Sequence, residues 1–195
     1  FENSRNRINL VLRLNDYNNI AKNYSKSVAK NIRKAQRSNI EVLQDLNQVD
    51  RVVQLYRNAY GNLNPNLDDK AYSSLTKLVL NPLYSDYFQL LVVKHNNKII
   101  AGLLFLQGKN RLHYILGAPN EVGRKHNALS FAIDHIIKQH CNQNMILDFE
   151  GSSIPNVKAF YESFGAEDEG FYEINITVST FLWFATKIYR RFIKS

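Results

Sequence analysis

Apolar positions change period along the chain, and the changes mark the elements. In residues 7–14, Ile8, Leu10, Leu12 and Leu14 fall at every second position, which predicts a strand. From 25 to 38 the period becomes helical, with Val28, Ile32 and Ala35 on one face and Lys26, Lys30, Arg33 and Arg37 on another. A short strand follows at 40–43, then helices over 49–60 and 68–80, ended by Gly61 and by Asn81-Pro82. The period then drops to two over 87–95, 98–107 and 111–117. These three strands are joined by Asn96-Asn97 and Gly108-Lys109-Asn110, turn sequences short enough to force an antiparallel meander. A helix over 125–141, a strand over 145–150, a helix over 155–164, a strand over 171–178 and an amphipathic helix from 179 to 194 complete the prediction.

The third meander strand, the 125–141 helix and the 145–150 strand form a strand–helix–strand crossover, which places its strands in parallel. The predicted fold class is therefore mixed α/β (α+β, mixed sheet), an antiparallel meander with one parallel pair. Such a junction leaves a crevice outside the carboxyl ends of its strands, a frequent ligand site.

Charge adds a second layer. The chain of 195 residues carries a net +8. Residues 1–40 hold nine Lys and Arg against Glu2 and Asp16, and residues 177–195 hold Lys187, Arg190, Arg191 and Lys194 with no acid. The middle is slightly acidic, so a near-neutral body carries two basic ends, a pattern for a localised anionic contact. Length suits one domain, 1–195, with a basic entry strand and helix over 1–40 and a terminal helix over 179–195. The absence of an initiator Met and of a leader pattern predicts that Phe1 lies inside a longer chain. The single cysteine, Cys141, excludes an intrachain disulfide and a cysteine-built metal site, and agrees with a cytoplasmic location. The terminal helix, with Phe181, Trp183, Phe184 and Tyr189 among its cations, has the composition of a peripheral membrane contact.

Three segments carry a family resemblance. YSKSVAKNIRKAQRSNIEV (24–42), AGLLFL with LHYILGAPNEVGRKHNALSFAIDHII (within 101–137) and LDFEGSSIPNVKAFYESFGAE (147–167) resemble, in that order, the Fem-like branch of the GNAT acyltransferases. That branch includes peptidoglycan-bridge aminoacyltransferases and many bacterial acyltransferase-like proteins. The resemblance implies a GNAT-like acyltransferase fold and transfer of an acyl or aminoacyl group to an amine acceptor, from acyl-CoA or an aminoacyl-tRNA. Because Fem-like proteins commonly carry two such folds in tandem, it also implies the C-terminal part of a longer chain, with a domain preceding it. One departure stands out. Enzymes of the superfamily that use acetyl-CoA carry Arg/Gln-x-x-Gly-x-Gly/Ala at the crossover helix, where Arg124, Lys125, His126, Asn127, Ala128 and Leu129 stand here. Asn127 and Leu129 fill both glycine slots, which narrows a pyrophosphate cradle and argues for a donor other than coenzyme A.

Acyl transfer to an amine needs a polarised carbonyl, a base and an acid. Backbone N–H groups near Leu116, Gly117 and Ala118 suit the first. Asp148 and Glu150, two apart at a strand's carboxyl end, suit the second, with Glu150 nearer the crevice. Tyr161, on the following helix, is the acid candidate, with Tyr114 and Tyr172 as others. Arg124, Lys125, His126 and Asn127 are donor-binding candidates. Lys30, Arg33 and Arg37 are candidates for gripping phosphates of a tRNA, a nucleotide or a lipid-linked precursor. The remaining histidines show no ligand spacing, so no metal site is predicted. His113, alternating with Tyr114, reads as a packing or surface residue. A competing expectation is a non-catalytic module that binds an anionic ligand.

Overall fold

The structure, a computed structural model, describes residues 4–63, 67–150 and 154–174. In chain order the first elements are β1 (Ser4–Arg7), β2 (Leu10–Leu14), α1 (Tyr17–Lys22), α2 (Lys26–Gln36) and β3 (Ile40–Gln44). Then come α3 (Val49–Tyr60), α4 (Asp69–Val79), β4 (Phe88–His95), β5 (Lys98–Gln107) and β6 (Arg111–Pro119). The last are α5 (Glu121–Lys125), α6 (Ala128–His140), β7 (Met145–Asp148), α7 (Pro155–Glu162), β8 (Glu167–Asp168) and β9 (Phe171–Ile174). The chain divides into two compact units, residues 8–169 and the two ends, 1–7 with 170–195. In the smaller unit β1 pairs antiparallel with β9, and Arg7 bonds Glu173 across them.

The larger unit is built on a seven-stranded sheet in the order β3-β4-β5-β6-β7-β2-β8. The meander β4-β5-β6 is antiparallel, and β6 runs parallel to β7 through the α5–α6 crossover. Local chemistry explains the boundaries. Asp16, Ser25, Asp68 and Asn120 each accept a backbone N–H in the first turn of α1, α2, α4 and α5. Asn96 and Asn97 both take positive φ, 48° and 62°, the left-handed pair a tight hairpin requires.

Alternation along the strands divides the core between the two sheet faces. On one face, Leu91, Val93, Leu103 and Leu147 meet Val28 and Ile32 of α2 and Ile133 and Ile136 of α6. On the other, Leu90, Val92 and Leu104 meet Val49, Val52 and Val53 of α3 and Tyr72 of α4. Strand β6 breaks this rule usefully. Phe105 pairs with Tyr114 but Leu104 pairs with Leu116, so Ile115 is an extra residue, a β-bulge. Tyr114 and Leu116 share parity yet belong to opposite cores, because the bulge turns the strand over between them.

Several predicted boundaries move. The strand expected over 7–14 is two strands: pairing breaks at Ile8-Asn9, where the Asn9 amide is taken by the Asp168 carboxylate. The six-residue helix α1 was hidden because Ile20 is its one buried residue, too little to show a period. The helix expected over 125–141 is two helices. Arg124 and Lys125 end α5, and Asn127, at φ 56°, turns the chain before α6 starts at Ala128. The strand expected over 145–150 stops at Asp148, since Glu150 takes the left-handed φ of 59°. The helix over 179–194 and the end of the 171–178 strand lie outside the described residues.

Beneath the meander, His140 is buried, with Nε2 3.1 Å from Gln89 Oε1 and Nδ1 3.3 Å from Gln143 Oε1. Burial pulls its pKa below the ordinary histidine range. The unfolded chain thus binds a proton that the folded one resists, so this group supports stability above about pH 6.5 and loses that support as pH falls. Replacing His140 with Gln is expected to flatten the slope of unfolding free energy between pH 7 and pH 5, read by urea denaturation.

Candidate active site

Strands β6 and β7 pair only from Arg111↔Ile146 to His113↔Asp148. Beyond that point β6 continues to Pro119, while β7 has ended and the bulge at Ile115 has turned β6 over. The two strands part, and a cavity of about 700 Å³ occupies the gap. Gly117, Glu150, Tyr161, Arg124 and Asn127 all line it. Asp148, Ala118, Lys125 and His126 do not line it.

Asp148 departs furthest from expectation. A strand would put Asp148 and Glu150 on one face, but the left-handed turn at Glu150 separates them. Asp148 is buried, and both of its oxygens are engaged. Oδ2 accepts from Arg111 at 2.6 Å and from Asn9 at 3.3 Å, while Oδ1 accepts the Glu150 N–H at 2.8 Å. Arg111 also donates to Glu169 at 2.6 Å, and these bonds raise its pKa further. Asp148 therefore anchors the β6–β7 fork and holds the Glu150 backbone in its turn. Potential ligand atoms of His113, Asp148 and Glu150 lie within 4.8 Å of one another. N–H donors on both Asp148 oxygens tie this cluster into a hydrogen-bond network.

Glu150 itself is half-exposed and meets Nδ1 of His113 at 2.5 Å. On the opposite side stand aromatic rings. Phe149 and Tyr161 stack at 4.4 Å, and Tyr114 meets both edge-on, at 6.2 and 6.0 Å. Burial, reinforced by neighbouring phenols, pushes Tyr114 and Tyr161 well above the ordinary tyrosine pKa, so both hydroxyls keep their protons. A Cβ at Gly117 would overlap the Tyr114 hydroxyl, so the glycine seats that ring as well as exposing backbone. Tyr172 is exposed on β9, in the smaller unit.

At the crossover, Asn127 supplies the positive φ that a glycine would otherwise provide, a conformation Asn tolerates better than most residues. Its side chain makes no capping bond to α6. Asn127, Ala128, Leu129 and Ser130, the first turn of α6, border the cavity. His126 instead stacks on His95 at 4.6 Å, and Lys34 donates to the Lys125 carbonyl at 3.3 Å. Burial, His95 and the nearby lysines lower the His126 pKa. Lys30 and Arg33 lie exposed on α2 and Arg37 exposed at its C-cap, while Asn31 of α2 reaches the cavity.

Sequence reasoning missed the cavity-lining Tyr56 and Tyr60 of α3 and the partner role of His113. Tyr56 and Tyr60 sit four apart, a detectable helical pair, but nothing local says that α3 covers the fork. His113 was invisible as a partner because its contact depends on the strand register.

A meander that parts from a parallel strand over a crossover helix defines an acyltransferase-type fold. The comparisons make this specific: residues 22–153 match the family described as the acetyltransferase (GNAT) domain, and the chain belongs to that family. Among solved structures, FemX superposes with a TM-score of 0.69 at 12% identity, over 87% of this chain and 62% of its own. The chain thus spans less than two thirds of FemX. L-PGS from Bacillus licheniformis gives a TM-score of 0.56 at 11% identity, over 95% of this chain and 67% of its own. An aminoglycoside acetyltransferase from an uncultured soil metagenomic sample gives 0.51 at 16%, over 72% and 99%. No curated protein matches the sequence. These likenesses show that the chain has the GNAT fold, in an arrangement that superposes on FemX. Among the described residues no helix is long and apolar enough to cross a membrane.

Proposed function

We propose that the protein transfers an acyl or aminoacyl group from an activated donor to an amine by direct attack. The observation that carries this reading is the fork between β6 and β7, where Gly117, Glu150 and Tyr161 line one cavity. The backbone N–H of β6 at Gly117, beyond the end of β7, polarises the donor carbonyl, with Ala118 behind it outside the cavity. The amine lone pair attacks the carbonyl carbon while Glu150 takes the amine proton. The bond from that carbon to the leaving sulfur or oxygen then breaks, and the Tyr161 hydroxyl gives its proton to the leaving atom. Burial keeps that hydroxyl protonated and makes it a weak acid, so its proton moves only as negative charge builds on the leaving atom.

Arg124, Asn127 and the first turn of α6 hold the donor's anionic part, with Lys125 and His126 flanking it outside the cavity. Side chains at 127 and 129 leave less room for a pyrophosphate than glycines would. The exposed cations Lys30, Arg33 and, at the α2 C-cap, Arg37 favour a longer phosphate-bearing donor, of which a charged tRNA is the best fit. A lipid-linked or membrane-borne acceptor, a preceding domain and a cytoplasmic, membrane-peripheral location extend the same reading.

The test offers [¹⁴C]acetyl-CoA and, separately, a pool of charged tRNAs with a panel of primary amines, and follows label into the amine. Transfer from charged tRNA is expected, with affinity falling as salt rises and roughly 3- to 10-fold weaker binding for Arg33→Ala. Salt-sensitive binding with no product from either donor overturns catalysis and favours a non-catalytic anion-binding module, the reading that the filled glycine slots support.

A further inference from the structure

We infer that His113 is the positioning residue of the base, so that Glu150 and His113 act as a carboxylate–imidazole pair. The inference rests on the reading of Glu150 as the base.

Glu150 starts from a poor position for a base. It lies beyond the end of β7, on a left-handed residue, with a half-exposed side chain of three torsions. Holding such a side chain in one rotamer costs conformational entropy, which falls on the reaction unless the fold has already met it. Here it is met twice. The Asp148 Oδ1 accepts the Glu150 N–H at 2.8 Å and fixes the backbone, and His113 Nδ1 engages Oε1 at 2.5 Å and fixes the carboxylate.

The imidazole is held in turn. His113 lies opposite Asp148 in the parallel register, its Nδ1 3.8 Å from Asp148 Oδ2. Its antiparallel neighbour on β5 is Leu106, which carries no charge. The charged groups facing it are thus Glu150 and Asp148, with Arg111 two residues back on its own strand bound to Asp148.

A neutral imidazole with Nδ1 protonated donates to Oε1 and leaves Oε2 to accept the amine proton. His113 is not a wall of the cavity, so it touches neither substrate and acts through Glu150. When its ring carries a second proton, the positive charge beside Glu150 weakens the carboxylate as a base.

Two measurements test this on the full chain. Long-range ¹H–¹⁵N spectra at pH 8 read the His113 tautomer. The Nδ1–H form is expected in the native protein, reverting in Glu150→Ala to the Nε2–H form that free imidazole prefers. A native Nε2–H tautomer overturns the inference without any substrate. The second measurement is the pH–rate profile with whichever of acetyl-CoA or charged tRNA transfers label. His113→Leu is expected to lower kcat roughly 10- to 100-fold with KM unchanged. His113→Asn, which keeps an N–H near the Nδ1 position, is expected to restore most of the rate. Inactive Glu150→Gln beside a His113→Leu profile identical to native rejects the pairing alone, whereas full activity in Glu150→Gln rejects the base.

Discussion

Replacing Glu150 by Gln is expected to lower kcat for acyl transfer by about 10²–10⁴-fold, the range general-base catalysis supplies, with little change in KM. The substitution is nearly isosteric. Gln keeps an oxygen for the His113 contact and a backbone N–H for Asp148, so the turn after β7 should survive. What it removes is the negative charge and the site for the amine proton, which changes the transition state more than the ground state. At neutral pH most alkyl amines arrive as ammonium ions, and without a proton acceptor at the fork the attacking lone pair is unavailable. Single-turnover transfer at pH 7 and pH 9 checks the argument. A deficit that shrinks at the higher pH, where free amine accumulates, marks loss of a base. An unchanged rate at both pH values would sink the assignment of Glu150.

The fork was legible in the sequence because its parts are local. Alternation names β5 and β6, the turns Asn96-Asn97 and Gly108-Lys109-Asn110 force the meander, and the crossover forces β7 parallel to β6. Gly117 and Glu150 then face one space as a consequence of connectivity. Illegible features depend on register or on single torsions. The bulge at Ile115 leaves no trace in the alternation of Leu112, Tyr114 and Leu116, whose uniform spacing conceals that the last belongs to the other core. The left-handed turn at Glu150 converts an apparent carboxylate pair into one buried anchor and one cavity residue. Asn127 is the reverse case. Its presence in a glycine slot looks like a lost loop, yet it keeps the φ of 56° that the slot requires and adds a side chain to the cavity wall. Sequence order placed β2 nowhere in particular, and its position between β7 and β8 follows from long-range pairing, Leu12↔Leu147 and Leu10↔Asp168.

The largest expected effect on stability lies away from the fork, at Lys138. Asp134 of α6 is 1% exposed, yet it accepts from Tyr17 at 2.9 Å, Tyr24 at 3.1 Å and Lys138 at 2.7 Å. The Lys138 ammonium also lies 4.8 Å from the Tyr17 ring centre, so the cluster fastens α1 and the entry to α2 onto α6. Burial pulls the Lys138 pKa down, but its bonds to Asp134 and Tyr17 outweigh this and hold the ammonium above its ordinary value. The two charges differ in their escape routes. Lys138 is 42% exposed and can turn to water if Asp134 is removed, while Asp134 has no such exit. Lys138→Ala therefore strands a buried carboxylate on two neutral phenols and is expected to cost about 3 kcal/mol, near the lower end for breaking a buried pair. For a unit of this size that corresponds to a Tm lower by roughly 6–12 °C. Adding Asp134→Asn to Lys138→Ala removes that charge at every pH while keeping an acceptor for the tyrosines, and should restore part of the loss. Urea denaturation of the two single variants and the double variant at pH 7 decides it: a Lys138→Ala loss below about 1 kcal/mol, or a double variant weaker than both singles, contradicts the asymmetry.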